Sequence, residues 1–171
     1  MSFITFRESW PFQILEEHLT PLKGHLAELE SHIHNVSHWI LKIPSEKLEL
    51  AYEKDKWTIR QLILHLVDSH QQLMFRLVSI ARQDDVHLSG SDENLWVKNS
   101  FSDSLTPSQL LDGYNKVSSY SLWIWKTIPE NRLDAKGVVN NIEITPKELL
   151  KYLIAHEKHH MEVVNQRYLK I

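Results

Sequence analysis

Four stretches of the chain carry apolar residues at helical spacing. In the first, Leu22, Leu26, Leu29, Ile33, Val36, Ile40 and Ile43 step by alternating fours and threes. That stripe predicts one long amphipathic helix, opened by Thr20 as N-cap with Pro21 behind it and closed by Pro44. The second opens at Thr58, with Gln61 placed to complete a capping box, and runs to about residues 81–83. Its apolar face is wide: Ile59, Leu62, Ile63, Leu66, Val67, Leu73, Met74 and Leu77. The third opens at Thr106-Pro107 with Gln109 and carries Leu110, Tyr114, Val117, Ser121, Trp125 and Ile128 before Pro129 stops it. The fourth opens at Thr145-Pro146 with Glu148 and continues to the C-terminus. Helices of about 20–25 residues, each ~30–37 Å long, predict an all-α fold: a four-helix bundle formed by residues 1–171 as one domain.

The connections are unequal. Residues 1–19 have no clear period, and Phe12, Ile14, Leu15 and Leu19 suit an irregular or short helical arm. Ser45 to Lys56 is a short link. Residues 84–105 are polar, without helical period, with Trp96 and Phe101 as expected apolar anchors. A connection this long tends to be functional, and it frees the second and third helices from being antiparallel neighbours. Between the third and fourth helices, β-branched residues flank Asn140-Asn141, which predicts a small β-hairpin near 138–144.

Composition narrows the function. The 171 residues are 42% apolar and 24% charged with a formal net charge of −3. Lys and Arg form no stripe, so no nucleic-acid partner is expected. No apolar run approaches the length of a membrane span. The segment Met1–Arg7 lacks the basic and apolar regions of a signal peptide. With no cysteine, disulfides and thiolate ligands are excluded, which fits a reducing cytoplasm. Only 4 glycines argue against an all-β fold, 11 histidines exceed what a chain of this size needs, and 6 tryptophans suggest several large buried or pocket-lining rings.

The histidines concentrate the chemistry. His156 and His160 stand four apart on the fourth helix, so their Cβ atoms lie ~6 Å apart on one face. Leu149 and Leu153 place both on the buried stripe. Two buried imidazoles need satisfied nitrogens, either from Tyr or Trp side chains or from a shared metal ion. A third ligand must come from another helix. The second helix offers His65 and His70, about 140° apart; its wheel centres His70 on the apolar face and leaves His65 at the edge. Asp68 can orient a ligand from beside His65 or face solvent. His25, His32, His34 and His38 of the first helix fall mostly off its stripe and are expected on a solvated face.

The run Trp57-Thr58-Ile59-Arg60-Gln61-Leu62-Ile63-Leu64-His65-Leu66-Val67-Asp68-Ser69-His70 resembles the second-helix signature of the DinB superfamily, and more closely its YfiT-like branch. His156-Glu157-Lys158-His159-His160 resembles the last-helix histidine cluster of the same family, and Asp92-Glu93-Asn94-Leu95-Trp96 a loop segment of that branch. The similarity covers roughly residues 30–171. The resemblance implies a four-helix bundle of unusual topology and a divalent metal, zinc or nickel, on His65, His156 and His160. It selects His65 over His70 and places the site in a groove at the edge of the bundle. Relatives often carry one more His where this chain has Val163, so no role is assigned to that extra imidazole.

Three neutral histidines leave an open coordination position, the pattern of a catalytic site. The branch includes metal-dependent hydrolases and bacillithiol S-transferases. The implied function is therefore a metal-dependent enzyme acting on a small molecule, either a hydrolase or an S-transferase using a low-molecular-weight thiol. Candidates for the general base are Asp68, Glu157 and Asp92; Trp57, Trp96 and Arg60 are candidates for the pocket mouth. The competing readings are a non-catalytic metal-binding stress-response bundle and a metal-free structural bundle. Bundles of this size often pair as homodimers, which the pattern leaves open.

Overall fold

The computed structural model describes residues 22–170. The four long helices are α1 (Leu22–Lys42), α2 (Ile59–Arg82), α4 (Pro107–Lys126) and α5 (Pro146–Val163); a short α3 (Glu93–Lys98) lies between α2 and α4. The chain continues from α5 as a π-helical turn, Val164–Leu169. Thr58, Thr106 and Thr145 each close a full capping box, the threonine accepting from the third helical residue, whose own side chain accepts from the threonine N–H. Each box satisfies two N–H groups that a helix start otherwise leaves unpaired. The Thr20 cap and the arm over residues 1–19 lie outside the described residues.

The bundle order follows from the contacts. α2 packs against both α4 and α5, and α1 packs against the same two helices from the other side. Consecutive helices α1 and α2 therefore sit diagonally. Arg60 meets Leu105, and Arg82 meets Thr127, so α2 and α4 run parallel. Lys126 near Glu30 and Asn115 bonded to Ser37 make α1 antiparallel to α4. Two parallel neighbours require a long return, and residues 83–106 supply it.

That return is more ordered than its polar sequence indicates. β1 (Val86–Leu88) pairs in parallel with β2 (Gly137–Val139), which pairs antiparallel with β3 (Ile142–Ile144). The expected hairpin is therefore present, with Asn140 and Asn141 in the left-handed region at φ 51° and 65°. Beyond that hairpin, β1 completes a three-stranded sheet. β1 carries no sequence signal because it is short and its partner is distant in sequence. Asp92 caps α3 by accepting from the Leu95 N–H at 3.0 Å. The expected anchors are also corrected: Phe101 is 83% exposed and Trp96 44% exposed, while Val97 is buried. Among the described residues, no helix is long and apolar enough to cross a membrane.

The core is continuous from α1 (Leu29, Val36) through α2 (Ile59, Leu66, Leu77) to Tyr114 and Trp125 of α4 and Leu149 and Leu153 of α5. The sheet joins it at a tight point. A Cβ on Gly137 would sit 2.5 Å from Cγ1 of the fully buried Ile80. Gly137→Ala should therefore destabilise the protein by about 1–3 kcal/mol, the usual cost of overpacking. Urea unfolding measures this; unchanged stability would mean that β2 does not dock as described.

Candidate metal centre

His65 sits in the second turn of α2, and His156 and His160 lie one turn apart on α5. Because α2 and α5 run antiparallel, the three rings meet. Their ligand atoms all lie within 4.8 Å of one another. His65 Nε2 is 3.1 Å and His160 Nε2 is 3.0 Å from His156 Nε2. One proton on a shared nitrogen satisfies only one of these two contacts. Tetrahedral zinc with Zn–N bonds near 2.0–2.1 Å spaces its nitrogens about 3.3 Å apart, close to both distances. The donor set therefore fits a divalent ion.

The environment holds these rings neutral, the state that binds metal. Burial pushes the His65 pKa down to about 4. Burial, then repulsion from the neighbouring imidazoles, puts His156 and His160 well below the ordinary 6.5. Aromatic rings fix the geometry. Trp57 lies 4.8 Å from the His65 ring and 6.5 Å from His160, centroid to centroid. Tyr152 stacks on His156 at 5.5 Å. The Tyr168 hydroxyl, on the π-helical turn, donates to the Trp57 carbonyl at 2.7 Å and so ties the chain end to the site.

Directly behind the ligands lies a buried ionic cluster. Glu157 is 0% exposed. His70 Nε2 is 3.1 Å from its Oε1, and His32 Nε2 is 3.1 Å from its Oε2, a close contact without the alignment of a good hydrogen bond. Burial alone would raise the carboxyl pKa; His70 and His32 outweigh it and hold it down at about 2. The second nitrogen of His70 bonds the Ser121 hydroxyl at 2.8 Å. The cluster thus links α1, α2, α4 and α5 through one ionised carboxylate.

A cavity of about 110 Å³ opens beside the ligands. His65 and His156 form one end, and its lining includes Asp68, Gln72, Arg76, Glu93 and Trp96. Burial raises the Asp68 pKa. Asn140 closes the cavity from the hairpin, its amide so near Gly90 that a Cβ there would fall 3.0 Å from Asn140 Cγ.

A family model for the DinB superfamily matches residues 28–164. The chain belongs to the DinB superfamily. A 59-residue stretch is 30% identical to Putative metal-dependent hydrolase OB0782 of Oceanobacillus iheyensis, covering 34% of each protein. Putative metal-dependent hydrolase OB0413 of the same organism is 24% identical over 140 residues, covering 80% of this chain and 79% of that one. Among solved structures, YfiT from Bacillus subtilis, described as a probable metal-dependent hydrolase with an unusual four-helix bundle topology, superposes with a TM-score of 0.77. It is 19% identical, over 88% of this chain and 89% of its own, so this likeness speaks to the fold.

Against this DinB bundle, the sequence expectations divide cleanly. His65, His156 and His160 come together. His70, which the helical wheel favoured, is indeed fully buried, but it faces Ser121 and Glu157. Glu157 lies outside the cavity lining and has a histidine against each oxygen, so it pins α5. Asp92 is a helix cap. Arg60 pairs with Glu49 at 2.7 Å and with the Leu105 carbonyl, away from the ligands. His34 and His38 are exposed as expected, but His25 and His32 are buried, a correction. The signal was present: His32 is three residues after Leu29 and four before Val36, inside the stripe. Val163 is half-buried against the core.

His160→Ala should cut zinc affinity by more than the ~100-fold that loss of a ligand's supporting hydrogen bond causes. His70→Ala should leave affinity within a few-fold yet cost about 3–5 kcal/mol of stability, because Glu157 loses a partner. Calorimetric zinc titration and urea unfolding separate the two; equal loss of zinc binding would contradict the ligand assignment. A histidine in the unfolded chain takes a proton near 6.5, whereas the folded His65 does so at about 4. Between these values the unfolded chain binds more protons, so metal-free protein loses stability as pH falls. Melting of chelator-treated protein should show Tm dropping from about pH 6.5 towards pH 4; a flat Tm would contradict burial of neutral rings.

Proposed function

We propose that this protein is a metal-dependent hydrolase acting on a small polar molecule. The observation carrying this reading is that Asp68 shares one polar cavity with His65 and His156. His65, His156 and His160 are the residues that would hold the ion, and three imidazoles without thiolates suit zinc or nickel. An ion held there would supply Lewis acidity and lower the pKa of a bound nucleophile. Asp68 accepts the proton released as the nucleophile forms; its burial makes it a stronger base than an exposed carboxylate. Tyr152 holds the His156 ring in place, and Trp57 shields His65 and His160 on their other side. The names of the curated relatives support the hydrolytic reading. The absence of cysteine supports a cytoplasmic setting.

A second reading has its own support. Three neutral imidazoles would leave a divalent ion its full charge, chemistry that suits activation of a small thiol as well as of water. A small-thiol S-transferase is therefore the alternative activity of the same centre.

Zinc- and nickel-loaded protein should hydrolyse members of a panel of small esters, amides and phosphoesters, and chelation should abolish turnover. A parallel assay with a small thiol and monochlorobimane tests the transferase. Asp68→Asn should lower kcat by about 10²–10⁴ with metal content unchanged. Stoichiometric metal with no turnover in either assay would favour the non-catalytic metal-binding bundle; no metal uptake would leave a structural bundle.

A further inference from the structure

The cavity beside the histidines is a track along one face of α2. His65, Asp68, Ser69, Gln72, Leu73 and Arg76 all line it, spaced by threes and fours. Tyr152 and His156 of α5 form the facing wall, and Ser91, Glu93, Trp96 and Asn140 of the β1–α3 segment and hairpin cover it. At one end stand the metal-ligand rings. At the other stands Arg76, only 5% exposed.

A buried guanidinium is costly to desolvate and is kept where its fork is used. Glu93 and Tyr152 act on it electrostatically. A guanidinium offers five N–H donors in a planar fork that matches the oxygens of a carboxylate or phosphate. The rest of the track carries an amide on Gln72, whose side chain bonds the Ser91 hydroxyl, and hydroxyls on Ser69 and Ser91. This lining suits a hydrogen-bonding ligand rather than an apolar one.

Geometry sets the ligand's length. His65 and Arg76 are separated by about 16 Å along the helix axis. Helical side chains lean towards the N-terminus, and the longer Arg76 side chain reaches further back along the track than the His65 ring does, which shortens the gap. The remaining distance is several bonds.

Resting on the reading of the three histidines as a metal centre for a small molecule, we infer that Arg76 is its specificity-determining residue: the substrate is an elongated molecule whose reactive group lies at the histidines and whose far end carries a carboxylate or phosphate held by Arg76. Asp68 and Gln72 lie between, one near the reacting group and one along the chain of the ligand.

The test uses two probes of matched length, 6-mercaptohexanoate and 6-mercaptohexanol, titrated calorimetrically into zinc-loaded full-length protein. A thiol coordinates an open zinc position whatever the natural reaction is, so the probes differ only in the tail. The anionic probe should bind at least tenfold more tightly than the neutral one. Arg76→Gln should erase that difference and Arg76→Lys should keep part of it, with zinc stoichiometry and thermal melting confirming that both variants fold. Equal affinities in the unaltered protein would overturn the role of Arg76 while leaving the metal centre standing, as would an undiminished preference in folded Arg76→Gln. Failure of the protein to take up zinc would overturn the metal reading and this inference with it. The comparison within the unaltered protein keeps the inference testable if Arg76→Gln does not fold.

Discussion

The structure depends on one ionised carboxylate in the middle of the bundle. Glu157 has no exposure, and an unpaired charge there would cost several kcal/mol. His70 of α2 and His32 of α1 reach it together and offset that cost. That requirement fixes the rotation of α5 relative to two other helices. His156 is its immediate neighbour and His160 follows within one turn, so the same constraint aims both at α2. The three histidine rings are held in place from behind, by Glu157 and its partners, and Glu157 does not line the cavity.

Topology decides what lies in front of them. α2 and α4 run parallel, so the chain must travel the length of the bundle between them. It does so with β1 and α3, and it is stitched to the hairpin before α5 by a parallel strand pair. Those two connections roof the α2–α5 groove. His65 and His156 open into a small polar chamber with the buried Arg76 among its lining. This bundle thus supplies the three histidines from helices, where positions are rigid, and the chamber's cover from connections.

The aromatic residues divide between these two tasks. Trp57 and Tyr152 pack directly on ligand rings and limit their motion. Trp96 comes from the covering segment, half inside the chamber and half in solvent. Phe101, similar in sequence terms, is left on the surface. Hydrophobicity alone does not separate them, because both sit in a connection without period.

The sequence by itself determined the local features. Thr-Pro starts, capping-box residues and threefold–fourfold apolar spacing specify each long helix through interactions within a few residues, and the Asn-Asn hairpin is equally local. The i,i+4 pair His156 and His160 was legible for the same reason. His65 was not. Periodicity reports that a face is buried, not which neighbour buries it, and α2 packs against two helices at once. His70 faces α4 and Glu157, His65 faces the ligands of α5, and both are buried. Only the family resemblance pointed to His65, and only the tertiary structure shows why: the antiparallel crossing of α2 and α5 brings positions 91 residues apart to 3.1 Å. The pairing of β1 with β2, the burial of His32 and the chamber ending at Arg76 are likewise long-range. They depend on how separate helices and strands meet, which no short window of the chain encodes.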